Sequence, residues 1–372
     1  MPITPSPLER WFTTHPAPCA LTVAPIAVQP PGWEALAEWL SPEWAGSEAL
    51  AYAEPQGDAG LRGLIAESCG VGPEQVLLTT GGVEANWMAL AAVIRPGDRV
   101  IVQTPSYPQL ACAAEALGAV VVPWTVPASL AEPVDLAALE GLMAAPTRLV
   151  VLNTPHNPTG RVLNEDTLLA IARLVERQPD AYWLVDEVYR GVGDAPLPPP
   201  AIALSERAIM THSASKAMAL PGLRVGWVVG PEAVIASALP WMEHQTLALS
   251  GLSVALLKAI WDHREALIDA NRAVARRNRA IVRAWLAERP HLTGDVADSA
   301  VCFLLGTDGG LDDVTLAEAW YAERACFAIP GTTLGYPGTL RVGYGHRDEA
   351  ALVAALAFLA ERLAPMARAL SR

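Results

Sequence analysis

Between Gln75 and Val229 the chain carries seven short apolar runs rich in β-branched residues, at Gln75–Thr80, Arg99–Gln103, Ala119–Trp124, Arg148–Leu152, Ala181–Val185, Ala208–His212 and Arg224–Val229. Several of the gaps between them show helical periodicity, and strands alternating with helices predict a largely parallel sheet. One intervening helix is well signalled: Asn164 suits its N-cap, Glu165 and Asp166 suit its positive end, and Leu168, Ile171 and Leu174 share one face. Buried parallel strands need helices on both faces, so residues 46–250 are expected to form one large, doubly wound, mostly parallel α/β domain.

Beyond it, a helical region over 251–288 connects to residues 289–372. There, short strands near Ala300–Leu305 and Thr339–Val342 alternate with helices, and Leu352, Leu356, Leu359 and Leu363 line one face of the last one. This is too little sheet for a second doubly wound unit and predicts a smaller α+β domain, against which the N-terminal segment 1–45 packs. A length of 372 residues suits such a pair, and 52% apolar against 17% charged residues supplies a large core. Acids outnumber bases by 39 to 26, for a net charge of −13, and no basic stripe is present, which disfavours nucleic acids and anionic membranes as partners. Cys19, Cys69, Cys112, Cys302 and Cys326 are odd in number and lack paired spacing, so neither a secreted disulfide framework nor a metal site is expected. The stretch Met1–Arg10 has three prolines and no apolar core, unlike a secretory signal, and no run of about 18 apolar residues could span a bilayer. A cytoplasmic protein is expected.

In open parallel sheets ligands bind beyond the carboxyl ends of the strands, so the residues after each apolar run carry the chemistry. The run at 75–80 leads into Gly81-Gly82-Val83 and then a helix near Glu84, where free N–H groups could cradle a phosphate or simply make a tight turn. The run at 148–152 ends in Asn153-Thr154-Pro155-His156-Asn157-Pro158-Thr159-Gly160, a rigid turn that either presents the Asn157 amide or folds it onto its own backbone. The next delivers Asp186 from Trp183-Leu184-Val185, with Tyr189 close behind; a carboxylate there needs a cationic partner, or caps a helix. The run at 208–212 leads to Ser213-Ala214-Ser215-Lys216, followed by Gly222-Leu223-Arg224-Val225-Gly226. A lysine in such apolar surroundings has a lowered pKa, as an imine-forming amine needs, unless it lies on the surface. One cofactor would use all of these together: a lysine for an aldehyde, a carboxylate for a pyridine nitrogen, and glycines, serine and arginine for a phosphate.

On Pro155-His156-Asn157-Pro158-Thr159-Gly160, Val185-Asp186-Glu187-Val188-Tyr189, Ser213-Ala214-Ser215-Lys216 and Gly222-Leu223-Arg224-Val225-Gly226, the sequence resembles the fold-type I pyridoxal-phosphate enzymes, specifically the class I/II aminotransferases, from about Tyr52 to Arg341. The resemblance implies that Lys216 holds pyridoxal 5'-phosphate through an imine and then shuttles the substrate's α-proton. It implies that Asp186 keeps the pyridinium nitrogen protonated, and that Asn157 and Tyr189 hydrogen-bond the phenolic oxygen. The phosphate would lie against Gly81, Gly82, Val83, Ser213 and Arg224, and Tyr107 would stack on the ring, unless it is a core tyrosine. Tyr52, in Tyr52-Ala53-Glu54-Pro55-Gln56-Gly57, is similar to the family tyrosine that reaches the partner subunit's cofactor, implying a homodimer. Arg341, in Leu340-Arg341-Val342-Gly343-Tyr344, would grip the substrate α-carboxylate beside Asn157, or else make a rim salt bridge. The segment Leu21–Pro31 lacks the family's usual glycine-rich motif.

The implied activity is a ping-pong transfer of an α-amino group between an amino acid and a 2-oxo acid. Lyases, cyclases and arginine-modifying enzymes of the capreomycidine synthase kind share these motifs, and Pro7-Leu8-Glu9-Arg10-Trp11 and Leu247-Ala248-Leu249-Ser250-Gly251-Leu252 are similar to that group. A non-catalytic cofactor-binding regulator would carry a DNA-binding domain ahead of Tyr52, which the short proline-rich stretch there does not suit. No G-x-G-x-x-G follows the first run, which counts against a dinucleotide enzyme. Dicarboxylate-specific members of the resembled family place a second arginine, from the partner subunit, in the region after the phosphate-binding arginine. Here Val225 to His263 holds no arginine and only Lys258, with Glu243 and His244 in the middle, so the resemblance implies neutral or basic amino donors over aspartate and glutamate.

Overall fold

The structure, a computed structural model, describes residues 3–16 and 18–370, with the side chains of Glu48 and 365–370 left aside. The outermost positions of the expected segments 1–45 and 289–372, namely 1, 2, 371 and 372, lie outside the described residues. The chain begins with a helix at Pro7–Thr14 and the short strand β1 (Leu21–Thr22). The main sheet follows: β2 (Val76–Thr79), β3 (Arg99–Thr104), β4 (Val120–Thr125), β5 (Leu149–Asn153), β6 (Tyr182–Asp186), β7 (Ala208–Ser213) and β8 (Gly226–Val229). These are the seven apolar runs, in the spatial order β2-β8-β7-β6-β5-β3-β4. All neighbours are parallel except β8, which runs antiparallel to both β2 and β7.

That one reversal positions the site. Because β8 runs backwards, its first residues return to the edge where β7 ends, so Gly226 pairs with Ser213 and Arg224 reaches the carboxyl edge of the sheet. The parallel register sets Asn153 beside Asp186 and Asp186 beside Thr211 on that same edge. Apolar residues of the central strands bury both faces, and helices cover them. The helix Glu165–Glu176 is capped as its sequence predicts, with Asn164 Oδ1 accepting from Thr167 N at 2.9 Å. Replacing Asn164 by Ala should lower stability by about 1 kcal/mol. A urea midpoint equal to that of the wild type would count against the cap.

After the helices Gly251–Ala259 and Arg264–Ala287 come β9 (Cys302–Leu305), β10 (Cys326–Phe327), β11 (Ile329–Pro330) and β12 (Leu340–Gly343), of which β11, β12 and β9 form a small antiparallel sheet. Leu352, Leu356, Leu359 and Leu363 of the helix Glu349–Leu370 are buried in this second core. The N-terminal segment joins it: Leu8 and Trp11 are core residues, Trp11 Nε1 donates to Ala328 O at 3.0 Å, and β1 pairs with β10. Gly343 N then donates to Val23 O and Gly345 N to Pro25 O. A Cβ on Gly345 would lie 1.8 Å from Ala27 O, so this close approach of two backbones requires glycine. From Leu36 on, the segment turns to the other core instead, with Leu36 buried there and Trp39 stacked on His263 at 5.0 Å. No helix among the described residues is long and apolar enough to cross a membrane.

Candidate active site

The carboxyl edge of the main sheet opens into a cleft of about 260 Å³ between the two cores. At one side the chain leaves β2, turns through Gly81 (φ +82°) and starts the helix Gly82–Val93, whose first N–H groups have no intrahelical acceptor. A Cβ on Gly81 would lie 2.4 Å from Arg224 Nη2, so the missing side chain is what admits the guanidinium. Arg224 donates to Thr80 O and Pro221 O and remains exposed to the cleft mouth. Ser213 Oγ lies 3.7 Å from where a Cβ of Gly82 would be. Free N–H groups, a hydroxyl and a guanidinium together suit a phosphate.

Asp186 sits on the cleft floor, 3% exposed. One oxygen accepts from Val188 N at 3.0 Å and the other from Asn86 Nδ2 at 2.9 Å. Asn86 is itself oriented by Thr211, whose hydroxyl donates to Asn86 Oδ1 at 2.6 Å. Burial raises the Asp186 pKa to about 6 against the lowering effect of these bonds. A turn bond to Val188 is all that remains of a capping role, and no arginine or lysine lies within ion-pair distance of it among the described residues. Its neighbour Glu187 is spoken for, paired with Arg190 and accepting from Ala201 N at 2.8 Å.

Lys216 is not on the surface: burial, reinforced by the positive charge of Arg341, lowers its pKa to about 8. Its Nζ lies 5.3 Å from the centroid of the Tyr189 ring. Arg341, from β12, is fully buried and has no carboxylate partner among the described residues, so it is not part of a rim salt bridge with them. Its Nη1 donates to Asn157 Oδ1 at 3.3 Å, while Nε and Nη2 have no acceptor among the described residues. A buried guanidinium with two idle donors is costly unless a ligand completes it, and a carboxylate matches the fork. The Asn157 side chain therefore faces Arg341 rather than its own backbone; Asn153 Oδ1 takes the Asn157 N–H at 2.8 Å. His156 is structural, its Nε2 donating to Pro105 O and its Nδ1 accepting from Thr159, with burial lowering its pKa to about 4.

These residues fit pyridoxal phosphate: an anion cradle open at Gly81–Arg224, a buried carboxylate without a cation and a half-buried amine facing the cleft, with Ser215 Oγ lacking a partner among the described residues. Residues 30–358 match the family described as aminotransferase class I and II. The chain belongs to that family. This aminotransferase is 33% identical to capreomycidine synthase of Streptomyces vinaceus over 317 residues, covering 84% of this chain and 80% of that protein. It is 32% identical to an aspartate aminotransferase of Streptomyces avermitilis over 296 residues, covering 75% and 72%. Its fold matches a PLP-dependent aminotransferase from Streptococcus suis with a TM-score of 0.88 at 24% identity, covering 98% of this chain and 99% of that one. As a member of the family, the aminotransferase is an enzyme whose cofactor is pyridoxal phosphate.

Of the residues singled out from sequence, Gly82, Val83, Tyr107, Asn157, Asp186, Tyr189, Ser213, Lys216, Arg224 and Arg341 all line the one cleft, and Gly81 backs it. Tyr52 does not: it is 90% exposed and outside its own chain's cleft. Neither Glu243 nor His244 lines the cleft of its own chain, so Glu243 is not positioned there to meet a substrate. Sequence reasoning passed over Asn86, a lone amide in the apolar helix Gly82–Val93, which was the available signal. It also did not assign Glu9, which lines the cleft from the N-terminal helix and accepts from Tyr107 Oη at 2.8 Å.

Proposed function

We propose that this aminotransferase moves an α-amino group from an amino acid to a 2-oxo acid with Lys216 as the covalent anchor and proton carrier, working as a homodimer. The observation that carries the reading is the pairing, across one cleft, of a half-buried amine at Lys216, its pKa lowered, with a buried, half-idle guanidinium at Arg341. Bound there, pyridoxal phosphate supplies an aldehyde for amines and a ring that accepts the electron pair left when the α-proton departs.

The chain's own groups divide the remaining work. Gly81, Gly82, Val83, Ser213 and Arg224 would hold the phosphate. Asp186, itself held by Asn86 and Thr211, would keep a proton on the ring nitrogen. Asn157 and Tyr189 would bond the phenolic oxygen, Tyr107 would cover the ring, and Arg341 with Asn157 would fix the substrate carboxylate. Burial lowers the Lys216 pKa to about 8, which favours the neutral amine, so Nζ could take the α-proton and deliver it to the carbon that was the cofactor's aldehyde, on the far side of the shared nitrogen. Tyr52 is 90% exposed in the single chain, which leaves it free to reach a second copy and serve the partner's phosphate.

Arg341→Lys should raise KM for the amino donor on the order of 10²-fold while leaving cofactor affinity near normal, because a point charge cannot fork onto a carboxylate. An unchanged KM would remove Arg341 from carboxylate binding. The reading as a whole is tested by mixing the cofactor-loaded protein with a panel of amino acids, following the cofactor spectrum and identifying products by mass. A 2-oxo acid supports transamination. A ring-closed product supports the second reading, cyclase chemistry, which the similarity to capreomycidine synthase favours.

A further inference from the structure

Five charged side chains line the cleft: Glu9, Asp186, Lys216, Arg224 and Arg341. The proposed function uses the last four and leaves Glu9. It stands in the first turn of the helix Pro7–Thr14, where an acid would also suit the helix dipole, but its carboxylate is drawn to the cleft by the Tyr107 hydroxyl. That bond occupies Oε1; Oε2 has no hydrogen-bond or ion-pair partner among the described residues. Around Glu9 the same N-terminal segment offers Leu8, Phe12, Ala24 and Ile26 to the cleft. An apolar wall with one fixed carboxylate matches an aliphatic stem that ends in a cation.

We propose that Glu9 selects the amino donor by accepting from a cationic distal group, the ammonium of a diamino acid or the guanidinium of an arginine-like one. This rests on the transamination reading above and adds the substrate class to it. Arg341 takes the α-carboxylate and Glu9 the far end, so the two ends of the donor meet charges of opposite sign. A dicarboxylic donor would bring its distal carboxylate towards Glu9, where no cleft-lining arginine remains free to receive it.

The test uses the cofactor-loaded enzyme in single-turnover mixing, reading the change in the cofactor spectrum with ornithine, lysine, arginine, norleucine and glutamate. Wild type should react fastest with one of the three basic donors. In Glu9→Gln, which keeps an acceptor for Tyr107, the rate ratio of that donor to norleucine should fall at least 10-fold. In Glu9→Arg the ratio of glutamate to norleucine should rise instead. A ratio unmoved by both variants, or glutamate as the best wild-type donor, overturns the role of Glu9, and a 2-oxo acid identified by mass in the same mixtures leaves transamination standing. No spectral change with any donor overturns transamination and the selector role with it.

Discussion

Lys216→Ala is expected to give a folded protein with no measurable turnover, a loss on the order of 10⁵-fold or more, since both the covalent anchor and the proton carrier disappear. The variant should still bind pyridoxal phosphate, because the cradle at Gly81, Ser213 and Arg224 does not depend on the amine. Borohydride reduction of the loaded wild type should leave the cofactor on one peptide, the one containing Lys216, and should leave none on the variant. A labelled wild-type peptide without Lys216 would sink the assignment. Circular dichroism separates this from misfolding, and Lys216→Arg, which keeps a cation but cannot form the link, should be equally inactive.

Asp186→Asn should lower kcat on the order of 10³-fold or more with the cofactor still bound, because an amide cannot hold a proton on the ring nitrogen. Its effect on the cofactor-free fold runs the other way. Asp186 is an acid whose pKa is raised by burial to about 6, so its ionisation opposes folding. The cost is absent below the ordinary carboxylate range, grows as pH rises through about 4 to 6, and levels off above that, on the order of 3 kcal/mol. The cofactor-free Asn variant should therefore match wild type near pH 4 and melt several degrees higher near pH 8. Near-normal turnover would return Asp186 to a turn-forming role, and a lower melting point at pH 8 would contradict the burial argument.

The main sheet was legible because each strand is a short apolar run, and four of the seven lead into residues that packing alone would not choose. Asp186, Asn157 and Lys216 stand out for that reason, as does the Asn164 cap. The reversal of β8 was not legible, since apolar runs carry no direction, yet it is what brings Arg224 to Ser213. Asn86 was missed because its partners Asp186 and Thr211 lie far away in sequence and meet it only across the sheet. Glu9 looks like an ordinary first-turn acid until the segment around β1 folds onto β10 and β12. Glu243 does not line the cleft of its own chain, and the sequence reading placed that stretch at the partner's site instead.

The pairing of β1 with β10, and of Val23 and Pro25 with Gly343 and Gly345, fixes the order in which the site can be assembled on the ribosome. Chains are made from the N-terminus, and domains tend to fold as they emerge. The phosphate cradle and Lys216 belong to a core that is completed by about Leu267, so that half of the cleft can form while residues 289–372 are still being translated. The wall that carries Glu9 must wait, although it was synthesised first, until residues 326–345 are available to pair with it. Arg341 arrives in the same late stretch. A nascent chain can thus acquire its cofactor-binding half before it can discriminate among amino acids, and selectivity is the last property of the enzyme to be installed.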